Sequence, residues 1–568
     1  MSPQPSFDSR KKEAFITAVF FVFAGIVAAL QAWAYRYYVS ADSISYLDMS
    51  DAVFPGAGWD RLITGTWSPM YPFLLGSARL LSPDPYHEVA LGHLLNVLTF
   101  MGGFGAFEFF LRNAIPRERV TDSRCQYVFL PRWASFLIGY TVFLWASIVS
   151  ITMKSLRADM LMAVFVLLAM GMLLRIRELG DSWRRYLLLG AILGLGYLAK
   201  SPILPIGILI LVSGVILARD WKRAVPKAVV SGAVLLAIGS LYFVPLSLKR
   251  GSFTLGESSS YNYLAHVAWT GGAPWYLQEM GRGTGTGTFL HRAARIYDQP
   301  SVYSFSIGES VTYPIRFDPA YWARGVTPRF HLGAQLRALV INLKLYRDIF
   351  ERTGGVAAML VAMWFLSGGG RRAIAGIATQ WPVWFIGASG LAMYAFVHVE
   401  DRYVGVFCVL LWMGLLLGLS VPATLVKRVA PLVAWGLAAS ILIPIIATVG
   451  FHAAAGRETH DWEAEVAQAL THAGIRAGDK VGRISPGYND FAWARIARVI
   501  VVTEVAIERA DSFWESSPTQ QEAVLRAMAA AGARIVIAHV TDDFTPVGWQ
   551  RLGHTTYWMR WLNPTPHL

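Results

Sequence analysis

The sequence contains few cysteines and few charged residues. Its 568 residues include only Cys125 and Cys408, which cannot supply a disulfide framework and do not suggest a thiolate metal site. Charged residues make up 15% of the chain, against about 25% in a typical soluble domain. The sequence also lacks a sequon-reading motif, a complete dinucleotide-binding fingerprint and an internal repeat of the transporter kind. These absences exclude a disulfide-rich secreted domain and disfavour an ordinary soluble enzyme.

Hydrophobic residues, 55% of the chain, are concentrated in long apolar runs. These runs are the candidates for crossing roughly 30 Å of hydrocarbon, and they predict eleven spans near 14–34, 88–111, 133–152, 158–175, 186–200, 202–218, 227–248, 354–367, 381–399, 403–420 and 431–450. The segment 68–82 is shorter and predicts an interfacial helix or an extra half-span. The sequence therefore predicts a polytopic α-helical membrane protein with about 11–13 transmembrane helices.

We attribute the formal net charge of +13 to Lys and Arg residues in the loops predicted on the cytoplasmic side. The loops that should share a side with "DSRKK" are all basic, and Lys and Arg concentrate in cytoplasmic loops. This pattern predicts a cytoplasmic N-terminus, with external loops at 35–82 and 250–350, and it makes a nucleic-acid partner unnecessary as an explanation of the charge. The first run is too long and too well flanked for a signal peptide, so we interpret it as a retained span.

The composition changes to that of a soluble domain at about residue 451. Strands predicted in "KVGRIS", "VIVVTEV" and "ARIVIAHV" alternate with helices, and one helix in "SPTQQEAVLRAMAAAG" has a capping serine and a proline near its start. Alternating strands and helices are typical of a layered α/β domain. The sequence thus predicts a transmembrane domain over 1–450 and an extracytoplasmic α/β domain over 451–568.

Carboxylates and cations occur together on one predicted side of the membrane. Asp42, Asp48 and Asp51 follow the first span in "VSADSISYLDMSDAVF", which taken alone is typical of a solvated acidic loop. The same predicted side carries further ionisable residues, namely Arg157, Asp159, Lys200, Glu400 and Arg402. Such residues at a membrane edge pair with one another or line a polar cavity. The mixture suits a site that binds a phosphate beside a carboxylate that transfers a proton.

Five motifs carry a family resemblance: "ADSISYLDMS", "GTWSPMYPFLL", "SLRADMLMAVFVLLA", "GLGYLAKSP" and "EDRYVGVF". In this order, and on one predicted side, they resemble the GT-C fold glycosyltransferases that use polyprenyl-phosphate donors, including the protein O-mannosyltransferase-like and lipid A aminoarabinose transferase-like enzymes. The resemblance covers most of residues 14–420. It implies inverting transfer of a sugar from a polyprenyl-phosphate donor to an extracytoplasmic hydroxyl of a glycolipid, polysaccharide or protein.

The resemblance also implies a location and the absence of a required cofactor. The chain would lie in a bacterial inner membrane, with its active site and C-terminal domain facing the periplasm. A divalent metal beside Asp42, Asp48, Glu400 or His398 is compatible with carboxylate chemistry but is not expected in this family.

Residue roles follow from the motif positions. The resemblance implies that Asp42 is the general base and Asp48 its partner or an acceptor-orienting group. We interpret Asp51 as solvated. Asp159 matches a second acidic position of the family. The remaining predicted substrate-binding residues are the cations Lys200 and Arg402, which would hold the donor phosphate, Tyr403, which would help to position it, and Arg157 and Glu400.

Other interpretations stay open at this point. A transporter or flippase of lipid-linked saccharides would need charges near the bilayer midplane and broken helices in matching halves. A non-catalytic scaffold or another kind of polymerase is a third alternative. "GRGTGTGTF" (281–289) predicts a mobile loop rather than a phosphate cradle. The Tyr and Trp residues of 261–276 either stack on sugar rings or shield the donor, or else they form an interfacial aromatic belt.

Overall fold

A computed structural model describes residues 7–115, 127–269, 278–279, 281–305, 311–368, 370–457, 459–540 and 545–562. Cys125, and the part of the aromatic stretch that contains Trp275 and Tyr276, lie outside the described residues. Cys408 is buried as a free thiol. The described chain is mostly helical, with one large sheet.

The described residues form 22 α-helices: α1 Phe7–Ala34, α2 Ala41–Ser50, α3 Met70–Arg79, α4 Glu88–Ala114, α5 Arg132–Leu144, α6 Asp159–Leu179, α7 Trp183–Ala199, α8 Ile203–Leu217, α9 Trp221–Arg250, α10 Ser258–Tyr263, α11 Pro314–Phe317, α12 Pro319–Ala323, α13 Leu332–Glu351, α14 Gly354–Leu366, α15 Gly370–Thr379, α16 Trp381–Ala395, α17 Asp401–Leu416, α18 Val426–Ala455, α19 Trp462–His472, α20 Ala492–Ile496, α21 Ala510–Glu515 and α22 Pro518–Ala530. Two π-helical segments, Trp145–Ile151 and Leu264–Ala268, continue α5 and α10. Short 3-10 helices lie at Asp51–Val53, Trp59–Leu62, Pro85–His87 and Ile507–Arg509.

A helix occupies each of the eleven predicted spans. Among the described residues, six helical segments are long and apolar enough to cross a membrane: Lys11–Ala34, Pro85–Ala114, Arg132–Ile151, Asp159–Leu179, Trp221–Arg250 and Val426–Ala455. A seventh span results if α13 and α14, bent by 77° at their junction, are counted as one. Helices α7, α8, α16 and α17 have 17, 15, 15 and 16 residues and reach only about 22–26 Å. The prediction of a polytopic helical membrane protein is confirmed.

Two segments that the sequence predicted as loops or short helices are defined further by the structure. The external loop predicted over 250–350 ends earlier, because α13 begins at Leu332. The sequence of α13 is amphipathic, and its charged residues interrupt the apolar pattern, so it contains no long apolar run that would predict a span. The segment 68–82 does contain a helix, but α3 has 10 residues and is too short to cross a bilayer.

The strands are β1 Tyr127–Phe129, β2 Thr286–Gly287, β3 Ala294–Tyr297, β4 Val302–Ser304, β5 Val326–Thr327, β6 Ser420–Pro422, β7 Lys480–Ile484, β8 Ile500–Val505, β9 Ile535–His539, β10 Gln550–Arg551 and β11 Tyr557–Trp561. Seven of them form one sheet in the order β10-β11-β9-β7-β8-β4-β3. Strand β7 pairs in parallel with β8 and β9, and the other pairs of this sheet are antiparallel.

The sheet confirms an α/β domain near the C-terminus but changes its boundary. Strands β3 and β4 come from the segment predicted as an external loop, and β4 pairs with β8. The domain is therefore not confined to 451–568. Ser517 caps α22 through a capping box with Gln520, and Pro518 is the first helical residue, as the sequence predicts.

Candidate functional site

Asp42 lies in the first turn of α2, a short helix whose start is held from two directions. Ser40 is the N-cap, and its hydroxyl and that of Ser43 form a reciprocal capping box. The backbone N–H of Ala41 donates to Oδ1 of Asn489, in the C-terminal domain, over 2.9 Å. A carboxylate in the first turn is also favoured by the helix dipole. These contacts give Asp42 a defined position at the end of the helical bundle.

The loop before α6 carries Arg157 and Asp159 to the same place. The side chain of Gln31 clamps the beginning of this loop: its Nε2 donates to the carbonyl of Ile148 over 3.0 Å, and its Oε1 accepts from the N–H of Met153 over 2.9 Å. Farther along, the N–H of Leu156 donates to the hydroxyl of Ser43 in α2 over 3.2 Å. The loop is thus tied to both α1 and α2.

Asp42 faces two guanidinium groups. Nη1 of Arg402 donates to Oδ2 of Asp42 over 3.1 Å, and Nε of Arg157 lies 3.8 Å from the same oxygen. The same Nη1 of Arg402 is also 3.6 Å from Oδ2 of Asp159. One arginine from α17 therefore joins two carboxylates that lie in the first turns of α2 and α6.

Lys200, between α7 and α8, forms an ion pair with Asp159 and lies 4.2 Å from the centre of the Tyr403 ring. The hydroxyl of Tyr403 accepts a hydrogen bond from Nη2 of Arg402 over 3.1 Å. Glu400 accepts a hydrogen bond from Nε of Arg402. We call Asp42, Arg157, Asp159, Lys200, Glu400, Arg402 and Tyr403 the polar cluster. Its members come from four separate loops or helix ends, which the structure brings together.

The side chains of the polar cluster differ in their exposure and in the number of their charged partners. The carboxylate of Asp159 is 4% exposed and lies beside two cations, Lys200 and Arg402, whereas the Asp42 side chain is 23% exposed. Arg157 is 28% exposed, and its Nε has no hydrogen-bond partner at that atom. Arg157 is thus the most exposed cation of the polar cluster, and among its acids Asp42 is more exposed than Asp159 but less exposed than Glu400, whose side chain is 37% exposed.

Asp48 does not join the polar cluster. Its predicted role as a base partner or acceptor-orienting group has no support in this geometry, because both of its oxygens are occupied and its side chain is 3% exposed. Thr312 donates through its N–H over 3.0 Å and its hydroxyl over 2.7 Å, and Nη1 of Arg495 donates over 2.8 Å. Burial raises the pKa of Asp48 more than Arg495 lowers it.

The prediction that Asp51 is solvated is wrong. Nη2 of Arg495 donates to Asp51 over 2.7 Å and Nη1 of Arg79 donates over 2.8 Å. Burial raises the pKa of Asp51, but these guanidinium groups outweigh it and hold the pKa well below its usual range. Nε of Arg495 also donates to Glu88, the first residue of α4, over 2.9 Å. We call Arg495, Asp48, Asp51, Glu88 and Arg79 the Arg495 network; it attaches the C-terminal domain to the membrane domain.

Aromatic and histidine side chains surround the polar cluster, and of these the sequence predicted only His398, as a possible neighbour of a divalent metal. The His266 ring stacks on that of His398 with centres 3.8 Å apart, and Nε2 of His398 lies 3.2 Å from Glu400. Burial and the neighbouring His398 lower the pKa of His266 to about 4. Tyr46, on α2, is fully buried beside Asp42 and Asp159, which together with burial raise its pKa. No sequence pattern marks these residues, because their partners are distant in the chain.

The carboxylates of the polar cluster are the residues that would bind a divalent metal if one were present there. Within the described residues, no group of three or more His, Cys, Asp or Glu side chains is arranged to hold a metal ion. The carboxylates of the polar cluster each face a cation instead, with Asp42 and Glu400 on Arg402 and Asp159 on Lys200.

Comparison with known proteins gives matches in structure only. No family model and no curated protein matches the chain. Solved structures of GT-C fold glycosyltransferases are similar to it. One is the oligosaccharyltransferase of Archaeoglobus fulgidus tethered with an acceptor peptide containing the NVT sequon, at 12% identity and a TM-score of 0.46, over 92% of this chain and 68% of that one.

A second similar structure is ArnT from Cupriavidus metallidurans bound to undecaprenyl phosphate, at 13% identity and a TM-score of 0.40, over 95% of this chain and 97% of that one. Both proteins are of the kind that the sequence motifs resemble. At these identities the likeness concerns the overall fold alone. The function of this chain has to be inferred from its own residues.

Proposed function

We propose that this protein is an inverting membrane glycosyltransferase that moves a sugar from a polyprenyl-phosphate donor to an acceptor hydroxyl, with Asp42 as general base. The observation that carries the proposal is the polar cluster, in which an accessible carboxylate lies 3.1 Å from one guanidinium and 3.8 Å from another. A phosphate leaving group needs positive charge beside it rather than a strong acid. An acceptor hydroxyl needs one well-placed base.

The proposed reaction divides the polar cluster into two halves. Asp42 would take the proton from the acceptor hydroxyl, whose oxygen then attacks the anomeric carbon while the bond from that carbon to the phosphate oxygen breaks. Arg157, Lys200 and Arg402 would face the phosphate as its charge develops. Asp159 would hold Lys200 and Arg402 in place, since it forms an ion pair with the first and lies 3.6 Å from the second.

The location of the cluster favours an enzyme over a transporter. Asp159 begins α6, Lys200 follows α7, and Arg402 is the second residue of α17. The charges therefore lie at helix ends rather than halfway along a span, where a transport path would need them. We place the site at the extracytoplasmic face of a bacterial inner membrane; this, and the choice among glycolipid, polysaccharide and protein as acceptor, belongs to the proposal.

Arg157→Ala is expected to raise the KM for the donor by roughly 10- to 100-fold, the range of a lost charge-assisted hydrogen bond. Arg157 is the cation with the fewest partners in the polar cluster, so its loss leaves the other ion pairs intact. Purified protein would be given radiolabelled polyprenyl-phosphate sugar and a membrane extract as the source of acceptor, and initial rates would be measured against donor concentration.

Lys154→Ala is the matched control, because Lys154 lies in the same loop but over the ring of Tyr38, 4.5 Å from its centre. It removes one positive charge and should leave KM unchanged. An equal rise in both variants would contradict a specific phosphate contact. Absence of label transfer by the native protein would contradict the proposed function itself.

A further inference from the structure

A cavity of about 470 Å³ is lined by described residues that lie between Tyr261 and Ala323 in the sequence. Its size is in the range of small-molecule sites. Aromatic side chains form much of its wall: Tyr261, Trp269, Phe289, Tyr303 and Trp322. The Trp269 and Phe289 rings are nearly parallel, at 17° and 6.2 Å. Aromatic faces of this kind pack well against the apolar faces of sugar rings.

The wall is held by hydrogen bonds between segments that are distant in sequence. Gln278 is central: its amide nitrogen donates to the carbonyls of His291 over 2.6 Å and Trp322 over 3.1 Å, and its oxygen accepts from the N–H of Ala293 over 3.0 Å. The indole N–H of Trp269 donates to the carbonyl of Gly281 over 2.7 Å. Part of the Gly-rich segment forms β2, paired with β5, where the sequence predicted only a loop. These hydrogen bonds and the pairing of β2 with β5 therefore fix the wall of the cavity.

Two exposed arginines, Arg282 and Arg292, line this cavity. Their guanidinium groups make no ion pair or hydrogen bond with the described residues. Arg295 differs, because it pairs with Glu279 over 3.1 Å and with Asp298 over 3.2 Å. Two uncompensated guanidinium groups favour a ligand that carries a carboxylate or phosphate.

The cavity adjoins the elements that pack on α2, the helix that carries the proposed base. Tyr261 lines the cavity, and burial and then the charge of Asp42 raise the pKa of its hydroxyl. Ile315 in α11 also lines it, and α11 is attached to α2 where the Ser45 hydroxyl donates to the carbonyl of Arg316 over 2.9 Å. No residue of the lining belongs to one of the described helices that are long and apolar enough to cross a membrane, so the cavity does not open along such a helix.

We infer that this cavity binds the sugar rings of the acceptor, and that the acceptor is an anionic saccharide bearing a carboxylate or phosphate group. The aromatic wall would hold the rings, Arg282 and Arg292 would hold the anionic group, and a hydroxyl would point past Tyr261 toward Asp42. This inference rests on the proposed function for its place in the reaction. The binding itself can be tested without any sugar transfer.

The test is calorimetric titration of the purified full-length protein in detergent with three probes. These are trigalacturonic acid, which carries carboxylates, trehalose 6-phosphate, which carries a phosphate, and neutral maltotriose. At least one anionic probe is expected to bind roughly tenfold or more tightly than maltotriose. The one that binds identifies the anionic group. Equal binding of all three, or binding of none, would overturn the inference.

The Arg282→Ala/Arg292→Ala double variant is expected to reduce the affinity for the anionic probe to that for maltotriose. Both side chains are exposed, so the fold should be retained. Arg476→Ala/Arg526→Ala is the charge-matched control, since these exposed arginines lie outside the cavity, and it should bind like the native protein. An equal loss in both double variants would overturn the assignment of the site. If labelled donor is still used while no probe binds, the inference fails and the proposed function stands.

Discussion

Replacing Asp42 with asparagine is expected to lower the rate of sugar transfer by roughly 100-fold or more. The amide has nearly the shape of the carboxylate, and its oxygen can still accept the hydrogen bond that Arg402 donates over 3.1 Å. It cannot take a proton from an acceptor hydroxyl, however. The expected change is therefore in kcat, with little change in the KM for the donor, and initial-rate measurements with labelled donor would separate the two.

Asp48→Asn is the control for this prediction, because it makes the same chemical change on the same helix. Asp48 contacts Thr312 and Arg495 and lies in the buried Arg495 network. We expect this variant to unfold at a lower temperature while its rate per folded molecule is unchanged. If the Asp42 variant kept its rate, or if both variants lost it equally, Asp42 would not be the base.

Arg495→Leu is expected to lower the free energy of unfolding by about 3–5 kcal/mol, the cost of removing one partner from a buried ionic network. The guanidinium of Arg495 contacts Asp48, Asp51 and Glu88, and the side chains of Asp48 and Glu88 are 3% and 1% exposed. Without it, Asp51 and Glu88 still face Arg79 and Arg498, whereas Asp48 keeps its hydrogen bonds from Thr312 but loses its ion pair. Unfolding midpoints of native and variant protein in the same detergent would measure the loss.

Arg526→Leu provides the comparison, since Arg526 is exposed on α22 and makes no ion pair with the described residues. A surface change of this kind should stay within about 0.5 kcal/mol of the native protein. Similar midpoints for the two variants would show that the Arg495 network does not attach the domains.

Local patterns explain the parts of the structure that the sequence predicted correctly. Each of the eleven apolar runs is a helix, because a run without charges satisfies its backbone internally and buries its side chains in lipid or protein. The capping box at Ser517 and the alternation of strands around it are equally local. Amphipathic α13 escaped the same reasoning, because its charged residues interrupt the apolar pattern.

The sequence by itself determined that the chain is a polytopic membrane protein with an α/β domain, and that Asp42, Asp159, Lys200 and Arg402 would share one end of the bundle. Span order and polarity are sufficient for that. Only the tertiary structure decided which carboxylate is available. Arg495 is 447 residues from Asp48, yet it binds it at 2.8 Å. Sequence spacing within one loop could not separate three similar aspartates, because their environments are supplied by distant segments that meet only when the chain is folded.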